Sequence, residues 1–214
     1  MRVVAITVLL APVLVVILSG CGDLSRPGLA RGAELYDTCE PCHGPHGAGT
    51  PALGAPAIAG LPRWYVEAQL GKFQTGMRGA HPDDSEGARM RPMARSLHIE
   101  GDVASVAQYV ASLPARPAVT TLAGGDPAAG AARYTTICVA CHGADASGME
   151  AMGAPALANQ PDWYMLRQLE KFKSGMRGAD TRDVQGGQMA AMSSTLEDHQ
   201  AMMDVIAYIR TLRK

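Results

Sequence analysis

The 214 residues could build one large domain or two small ones, but only 2 Phe, 2 Trp and 6 Tyr are available to fill a core. That is too few large side chains for two ordinary cores of about a hundred residues each. The formal charge is −1, and because Arg2 is the only charge in residues 1–20 the remainder holds 18 basic against 20 acidic groups, which excludes the basic footprint of a nucleic-acid binder.

Met1-Arg2 leads into an apolar run from Val3 to Leu18, short for a membrane span and broken by Pro12, as expected of a secretory signal. Leu18-Ser19-Gly20-Cys21 then resembles a bacterial lipobox. The resemblance implies removal of residues 1–20, a diacylglycerol on the sulfur of Cys21 and often acylation of the new amino group. Two or more acyl chains suffice for stable anchoring. An uncleaved signal anchor is the rival reading. Both put the rest of the chain on the periplasmic side of a bacterial membrane, with residues 21–28 as a tether of small and turn-prone residues.

The segment Cys39-Glu40-Pro41-Cys42-His43 returns once, as Cys138-Val139-Ala140-Cys141-His142. Two cysteines three apart can each reach one vinyl group of a porphyrin while the adjacent imidazole ligates its iron, so the spacing predicts two covalently bound c-type haems on His43 and His142. Two rivals exist. A zinc site would need four protein ligands and gives no reason for a His directly after each pair. A thioredoxin-like pair belongs beside a βαβ pattern, which is missing here. Of the 5 cysteines, four lie in the two motifs and the fifth is Cys21, so none remains for a disulfide or a reactive thiol. Two buried porphyrins would also supply the bulk that the aromatic count lacks.

An offset of 99 residues aligns the chain with itself from about Arg31 to Leu113, read as free of gaps. Tyr36 is paired with Tyr134, Gly49 with Gly148, Gly54-Ala55-Pro56-Ala57 with Gly153-Ala154-Pro155-Ala156, and Trp64-Tyr65 with Trp163-Tyr164. Lys72-Phe73 and Gly76-Met77-Arg78-Gly79-Ala80 recur as Lys171-Phe172 and Gly175-Met176-Arg177-Gly178-Ala179. The chain reads as a tandem duplication, 29–114 and 126–214, joined by a Pro- and Gly-bearing linker over 115–125. Asp126-Pro127 predicts a capped helix start. Apolar residues recur at helical intervals around Trp64 to Phe73 and Trp163 to Phe172. Val103, Val106, Ala107 and Val110, with Met202, Val205, Ile206 and Ile209, predict closing helices. No useful alternating strand pattern appears, so the expectation is all-α.

With these motifs in place, residues 28–213 resemble the class I cytochromes c, and among them the two-domain c4 type. The resemblance implies that each half wraps one haem, with Met as sixth ligand. Three Met pairs match across the repeat: Met77 with Met176, Met90 with Met189, and Met93 with Met192. No histidine outside the motifs is matched, which argues against bis-His ligation in both halves. Met90 and Met189 each precede a Leu by seven residues, as in the family pattern Met-x-Pro with a later Leu, and are taken as the ligands. Met90-Arg91-Pro92 fits directly; Ala191 stands where the second half should have Pro. Met93 and Met192 compete for the role. The family also implies that the Pro56 and Pro155 carbonyls orient the ligating imidazoles, against a plain loop turn as the alternative. Trp64, Tyr65, Trp163 and Tyr164 are candidates to bond haem propionates or to pack the core. Arg78 and Arg177 would neutralise propionates or stand solvated.

The function expected is electron transfer, not enzymatic catalysis, because a six-coordinate iron has no open position for substrate. Donors would be a quinol-oxidising complex or another periplasmic donor, and acceptors a terminal oxidase or reductase. The alternatives are a dedicated cytochrome subunit of such a complex, a dihaem peroxidase or a thiosulfate-oxidising enzyme. Near-symmetric halves give no sign of an opened iron, and no cysteine remains for the distal ligand that thiosulfate-oxidising dihaem enzymes commonly use.

Overall fold

Glycine decides how each half closes. In the computed structural model, which describes residues 28–213, α1 (Leu29–Tyr36) crosses α5 (Asp102–Ser112), and α6 (Pro127–Arg133) crosses α10 (His199–Thr211). At the crossing points a Cβ on Gly32 would run into the Ser105 carbonyl, and one on Gly130 into the Asp204 carbonyl. The helices therefore meet backbone to backbone. Tyr36 then stacks on Tyr109 at 5.2 Å between ring centroids, and Tyr134 on Tyr208 at 5.4 Å, in tilted pairs that extend each contact. The expected signal over residues 1–20, lipidation at Cys21 and the tether as far as residue 27 lie outside the described residues.

Between these outer helices each half repeats one order. The haem-motif turn is α2 (Glu40–His43) or α7 (Val139–His142), followed by a 3-10 turn at Pro51–Leu53 or Glu150–Met152. Then come α3 (Arg63–Thr75) or α8 (Asp162–Lys173), and α4 (Ser85–Ser96) or α9 (Val184–Ser194). Among the described residues the only β-pairings are the isolated bridges Thr50 with Ala55 and Met149 with Ala154. The all-α expectation holds, and so does the Asp126-Pro127 start: the Asp126 carboxylate accepts from the Ala128 amide at 2.8 Å.

The expectation of a gapless repeat needs one correction. Tyr36 and Tyr134 stand 98 residues apart and the haem cysteines 99, so the second half has one extra residue between its tyrosine and Cys138. That residue is absorbed as a π-helical turn over Tyr134–Cys138, whereas Tyr36 leads to Cys39 through a plain turn. Both tyrosine hydroxyls still reach the same place, donating to Gly44 O and Gly143 O at 2.7 Å.

The linker is bound to the second half along its length. Thr121 Oγ1 and the Leu122 amide donate to the Asp162 carboxylate at 2.6 and 3.0 Å, and Arg210 bridges the Leu122 carbonyl and Asp162. Arg213 donates to the Ala118 carbonyl at 2.9 Å. The first half has Arg63, Ala111 and Pro114 at the matching positions and offers none of these groups. Burial pushes the Asp162 carboxyl up, but the donors of Thr121, Leu122 and Trp163 outweigh it and hold the group below the usual carboxylate range. Its stabilising effect is thus complete above about pH 4 and is lost as pH falls through the lowered folded value. Asp162→Asn is expected to destabilise the protein near neutrality by about 1–3 kcal/mol, with the variant and wild type converging in thermal melts as pH falls below 4.

The two halves meet through α3 and α8 with a reciprocal set of contacts. Lys72 pairs with Asp183 at 2.6 Å, and at the matching positions Lys171 pairs with Asp84 at 2.5 Å. Gln69 Oε1 accepts from Arg78 at 2.8 Å and from Arg177 at 3.0 Å, while Gln168 Oε1 accepts from Arg177 at 2.8 Å and from Arg78 at 3.1 Å. Such mutual pairing is the pattern of a two-fold, isologous interface, here between two halves of one chain. It explains the repeated Gly-Met-Arg-Gly. Gly76 ends α3 at φ +79°, Gly79 backs onto Gly87 of α4, and the Arg78 guanidinium lies 4.6 Å over the Phe73 ring, aimed at the other half. Arg177 lies 4.4 Å over Phe172. Both arginines are buried, contrary to the solvated alternative.

Candidate functional site

Each haem motif is a single helical turn that ends abruptly. Gly44 and Gly143 follow the histidines at φ +77° and +79°, which turns the chain back over the motif. The returning loop comes very close: a Cβ on Gly49 would sit 2.5 Å from the Pro56 carbonyl carbon, and the Gly148 position matches it against Pro155. Only glycine permits this approach. It places the Pro56 carbonyl 2.9 Å from His43 Nδ1 and the Pro155 carbonyl 2.9 Å from His142 Nδ1. A carbonyl can only accept, so Nδ1 carries the proton and Nε2 offers its lone pair to an iron. Burial lowers both imidazole pKa values and outweighs the carbonyl bond, which keeps them neutral and ready to ligate.

The thiols exclude the thioredoxin alternative. Burial, with a smaller effect from the neighbouring cysteine, pushes Cys39 and Cys138 each up to about 11, the reverse of an activated redox pair. Among the described residues no three His, Cys, Asp or Glu side chains converge as a zinc site would require.

In the second half Cys138, Cys141, His142 and Pro155 border an open, mainly apolar cavity that Met189 and Met192 of α9 also line. Met165 and Ile206 line its apolar side, and Tyr65, Gln69 and Lys72 enter from the first half. Met90 and Met93 hold the same places on α4, with Pro92 inside the helix and Ala191 at its counterpart. Met90 and Met189 are partly buried, while Met93 and Met192 are each 41% exposed. Met176 does not line the cavity.

The aromatic pairs divide their roles. Trp64 meets Tyr65 edge-on at 5.6 Å and Trp163 meets Tyr164 at 5.7 Å, but the tyrosines are the ones that reach the interface. Tyr164 OH accepts from Arg78 at 2.8 Å, and Tyr65 bonds Arg177. Burial raises the Tyr164 pKa, but Arg78 and Arg177 outweigh it and pull it below the ordinary phenol value. Trp163 instead supports Arg167, whose guanidinium lies 5.6 Å over its ring.

The residues fit haem. Arg78 and Arg177 are buried cations that, among the described residues, form no ion pair, and Arg177 Nε is buried without an acceptor in a side chain that lines the cavity. Haem propionates would supply the missing carboxylates. Reading from sequence missed Gln69, Gln168, Lys72, Lys171, Asp84 and Asp183. Their signal was available: polar residues repeated at an offset of 99 with no place in the haem pattern.

Loss of one tyrosine hydroxyl should be felt at the motif. Tyr36→Phe removes one of two donors to the Gly44 carbonyl, which also accepts from the Gly47 amide at 3.1 Å, and is expected to cost about 1 kcal/mol, read as a lowered thermal midpoint.

Two helical units, each with paired thiols, an oriented imidazole and two thioethers on one helix, the second of them around an apolar cavity, define a dihaem electron-transfer protein. The chain belongs to the cytochrome c family: the family model described as Cytochrome c matches residues 29–114 and again 127–213. It is 30% identical over 181 residues to the thiosulfate dehydrogenase electron acceptor of Stutzerimonas stutzeri, covering 80% of this chain and 78% of that one. Among solved structures it is similar to cytochrome c4 of Acidithiobacillus ferrooxidans, with 26% identity, TM-score 0.66, and 81% of this chain and 98% of that one covered. It is also similar to the thiosulfate dehydrogenase TsdBA of Marichromatium purpuratum, with 31% identity and TM-score 0.66 over 86% of this chain. There it spans 40% of the longer chain. The protein is a c4-like cytochrome with two covalently bound haems c, attached through Cys39 and Cys42 and through Cys138 and Cys141.

Proposed function

We propose that this cytochrome is a lipid-anchored carrier on the periplasmic side of the membrane, held by lipid on Cys21. It accepts electrons from a thiosulfate-oxidising dehydrogenase and passes them toward a terminal oxidase or reductase. The observation that carries the donor is the 30% identity over most of the chain to a protein named as such an electron acceptor. A quinol-oxidising complex is the competing donor. Two relatives named as thiosulfate dehydrogenase electron acceptors support the carrier side of that reaction, whereas the enzyme alternative requires an open iron in one half.

Bound haem supplies a one-electron iron couple. The chain's residues would hold it: His43 and Met90 would ligate in the first half, His142 and Met189 in the second. The Pro56 and Pro155 carbonyls orient the imidazoles, and thioether ligands would favour the reduced iron. Arg78 and Arg177, with Tyr65 and Tyr164, place positive charge and donors where the two halves meet, where they would bind haem propionates.

The test begins with optical spectra of the holoprotein, ferric and ferrous, with and without carbon monoxide. A ferric sulfur-to-iron charge-transfer band and no response to carbon monoxide are expected. Rapid carbon monoxide binding at one haem would replace the carrier with an enzyme. Stopped-flow mixing with thiosulfate and a thiosulfate dehydrogenase should then reduce both haems; reduction only by a quinol-oxidising complex would remove the thiosulfate assignment.

A further inference from the structure

The lysines that join the two halves end on the residues that start the methionine-bearing helices. Asp84 caps α4, its Oδ1 accepting from the Gly87 amide at 3.0 Å, and Lys171 of the other half reaches the same oxygen at 2.5 Å. Asp183 caps α9 in the same way, accepting from the Gly186 amide at 2.8 Å, and Lys72 reaches its Oδ1 at 2.6 Å. Both carboxylates are 2% exposed, so water compensates neither charge. Met90 and Met189 each follow their capping aspartate by six residues on the same helix.

A cap that is buried, charged and paired to a single ammonium depends on that ammonium. Without it the carboxylate must take up a proton or draw in water, and either change weakens its hold on the first turn. That turn has little room to adjust. A Cβ on Gly87 would sit 2.6 Å from the Gly79 Cα, so a shift of the helix start presses on the loop that carries Arg78. The helix would yield as a unit, moving its methionine relative to the facing imidazole.

We propose that Lys72 and Lys171 are positioning residues for the axial methionine of the opposite half, Lys72 for Met189 and Lys171 for Met90. The proposal rests on the His/Met ligation stated above. Each haem's sixth ligand is then held in part by the other domain, and separation of the halves would loosen both irons together. The two clamps are unequal. Glu86 adds a second carboxylate on α4, bonded to Lys171 at 2.7 Å and also to Arg167, whereas α9 has Gln185 there and Ala68 stands at the position matching Arg167. The second-half clamp is a single ion pair, so loss of Lys72 should disturb its haem more than loss of Lys171 disturbs the other.

The test uses the full dihaem protein with Lys72→Ala, Lys171→Ala and Lys72→Arg, which keeps a cation for Asp183 and leaves the cap itself in place. Ferric NMR resolves the methionine methyl of each haem, redox titration gives two potentials, and amide exchange reads α4 and α9 without reference to iron. Lys72→Ala should shift the second-half methionine signal, lower that haem's potential and speed exchange in α9 by roughly tenfold, leaving the first half unchanged. Lys171→Ala should do the converse more weakly, and Lys72→Arg should keep the second half close to wild type. A perturbation confined to the lysine's own half, equal in both halves or missing from both overturns the proposal. A wild-type protein lacking the sulfur-to-iron band overturns the ligand assignment beneath it; exchange that still crosses halves would then show a clamp with no ligand to position.

Discussion

Gly130→Ala is expected to unfold the second half at temperatures where the wild type is intact. The added methyl would collide with the Asp204 carbonyl and lie 3.0 Å from Tyr208 Cβ, so two helix backbones would have to separate. Separation breaks the Asp126 amide bond to Asp204, 2.8 Å long, and the stacking of Tyr134 on Tyr208. It also draws the Tyr134 hydroxyl away from Gly143, beside the iron ligand His142. Overpacking a core side chain costs about 1–3 kcal/mol, and here neither contacting group can rotate away, so the cost should exceed that range. Against a total of about 5–15 kcal/mol the loss is decisive for half a chain. Gly71 gives the control: it lies inside α3 with nothing within 4 Å of a built Cβ. Gly71→Ala should gain about 0.5–1 kcal/mol, because alanine loses less backbone freedom in a helix. Melts followed by far-UV dichroism and haem absorbance check both. An unchanged midpoint in Gly130→Ala would show that the crossing tolerates a side chain.

What the sequence revealed and what it hid follow from the range of the interactions. The haem motifs, the proline carbonyls and the closing helices depend on short spacings or on helical period, and these are written into neighbouring residues. The repeat itself was visible, but the extra residue before Cys138 was not, because a π turn conceals an insertion by keeping Tyr134 over Gly143. The interface was hidden for another reason. Lys72 meets Asp183 and Arg78 meets Gln168 only after the halves pack, at separations that no local pattern records. Repetition of Arg78 as Arg177 could be seen; that both are buried, each sharing two glutamines with the other, could not. Asp162 was equally silent, because its role belongs to the linker and the first half carries Arg63 in its place.

A chain made without haem attachment is expected to lack a cooperative native state. The buried apolar cluster of the first half consists of Tyr36, Leu97, Val106, Val110 and Leu113, and the second is richer but surrounds the open cavity. Apolar burial contributes about 25 cal/mol per Å², so the walls of an unfilled cavity forfeit much of what holds such small units together. Charge acts in the same direction. Arg78 and Arg177 are buried near one another, and their oxygen partners Gln69, Gln168 and Tyr164 are all neutral. Burial, then the neighbouring Arg78, lowers the Arg177 pKa, the mark of a cation short of compensating charge, whereas Tyr164, Tyr65 and the Asp84 carboxylate outweigh burial at Arg78. Two effects therefore oppose the apoprotein, and adding apolar bulk would relieve only the first. Substituting all four motif cysteines by alanine, or expressing the chain where no attachment machinery operates, should give a protein with weak helical dichroism and no sharp melt. A compact apoprotein with a cooperative transition would mean that the side chains alone fill and neutralise the interior, contrary to the open cavity of the second half and the buried arginines at the interface. Cys39→Ala with Cys42→Ala separates the contributions. Because the second-half cavity is closed partly by Tyr65, Gln69 and Lys72 of the first half, loss of the first haem alone should lower the melting temperature of the second half as well.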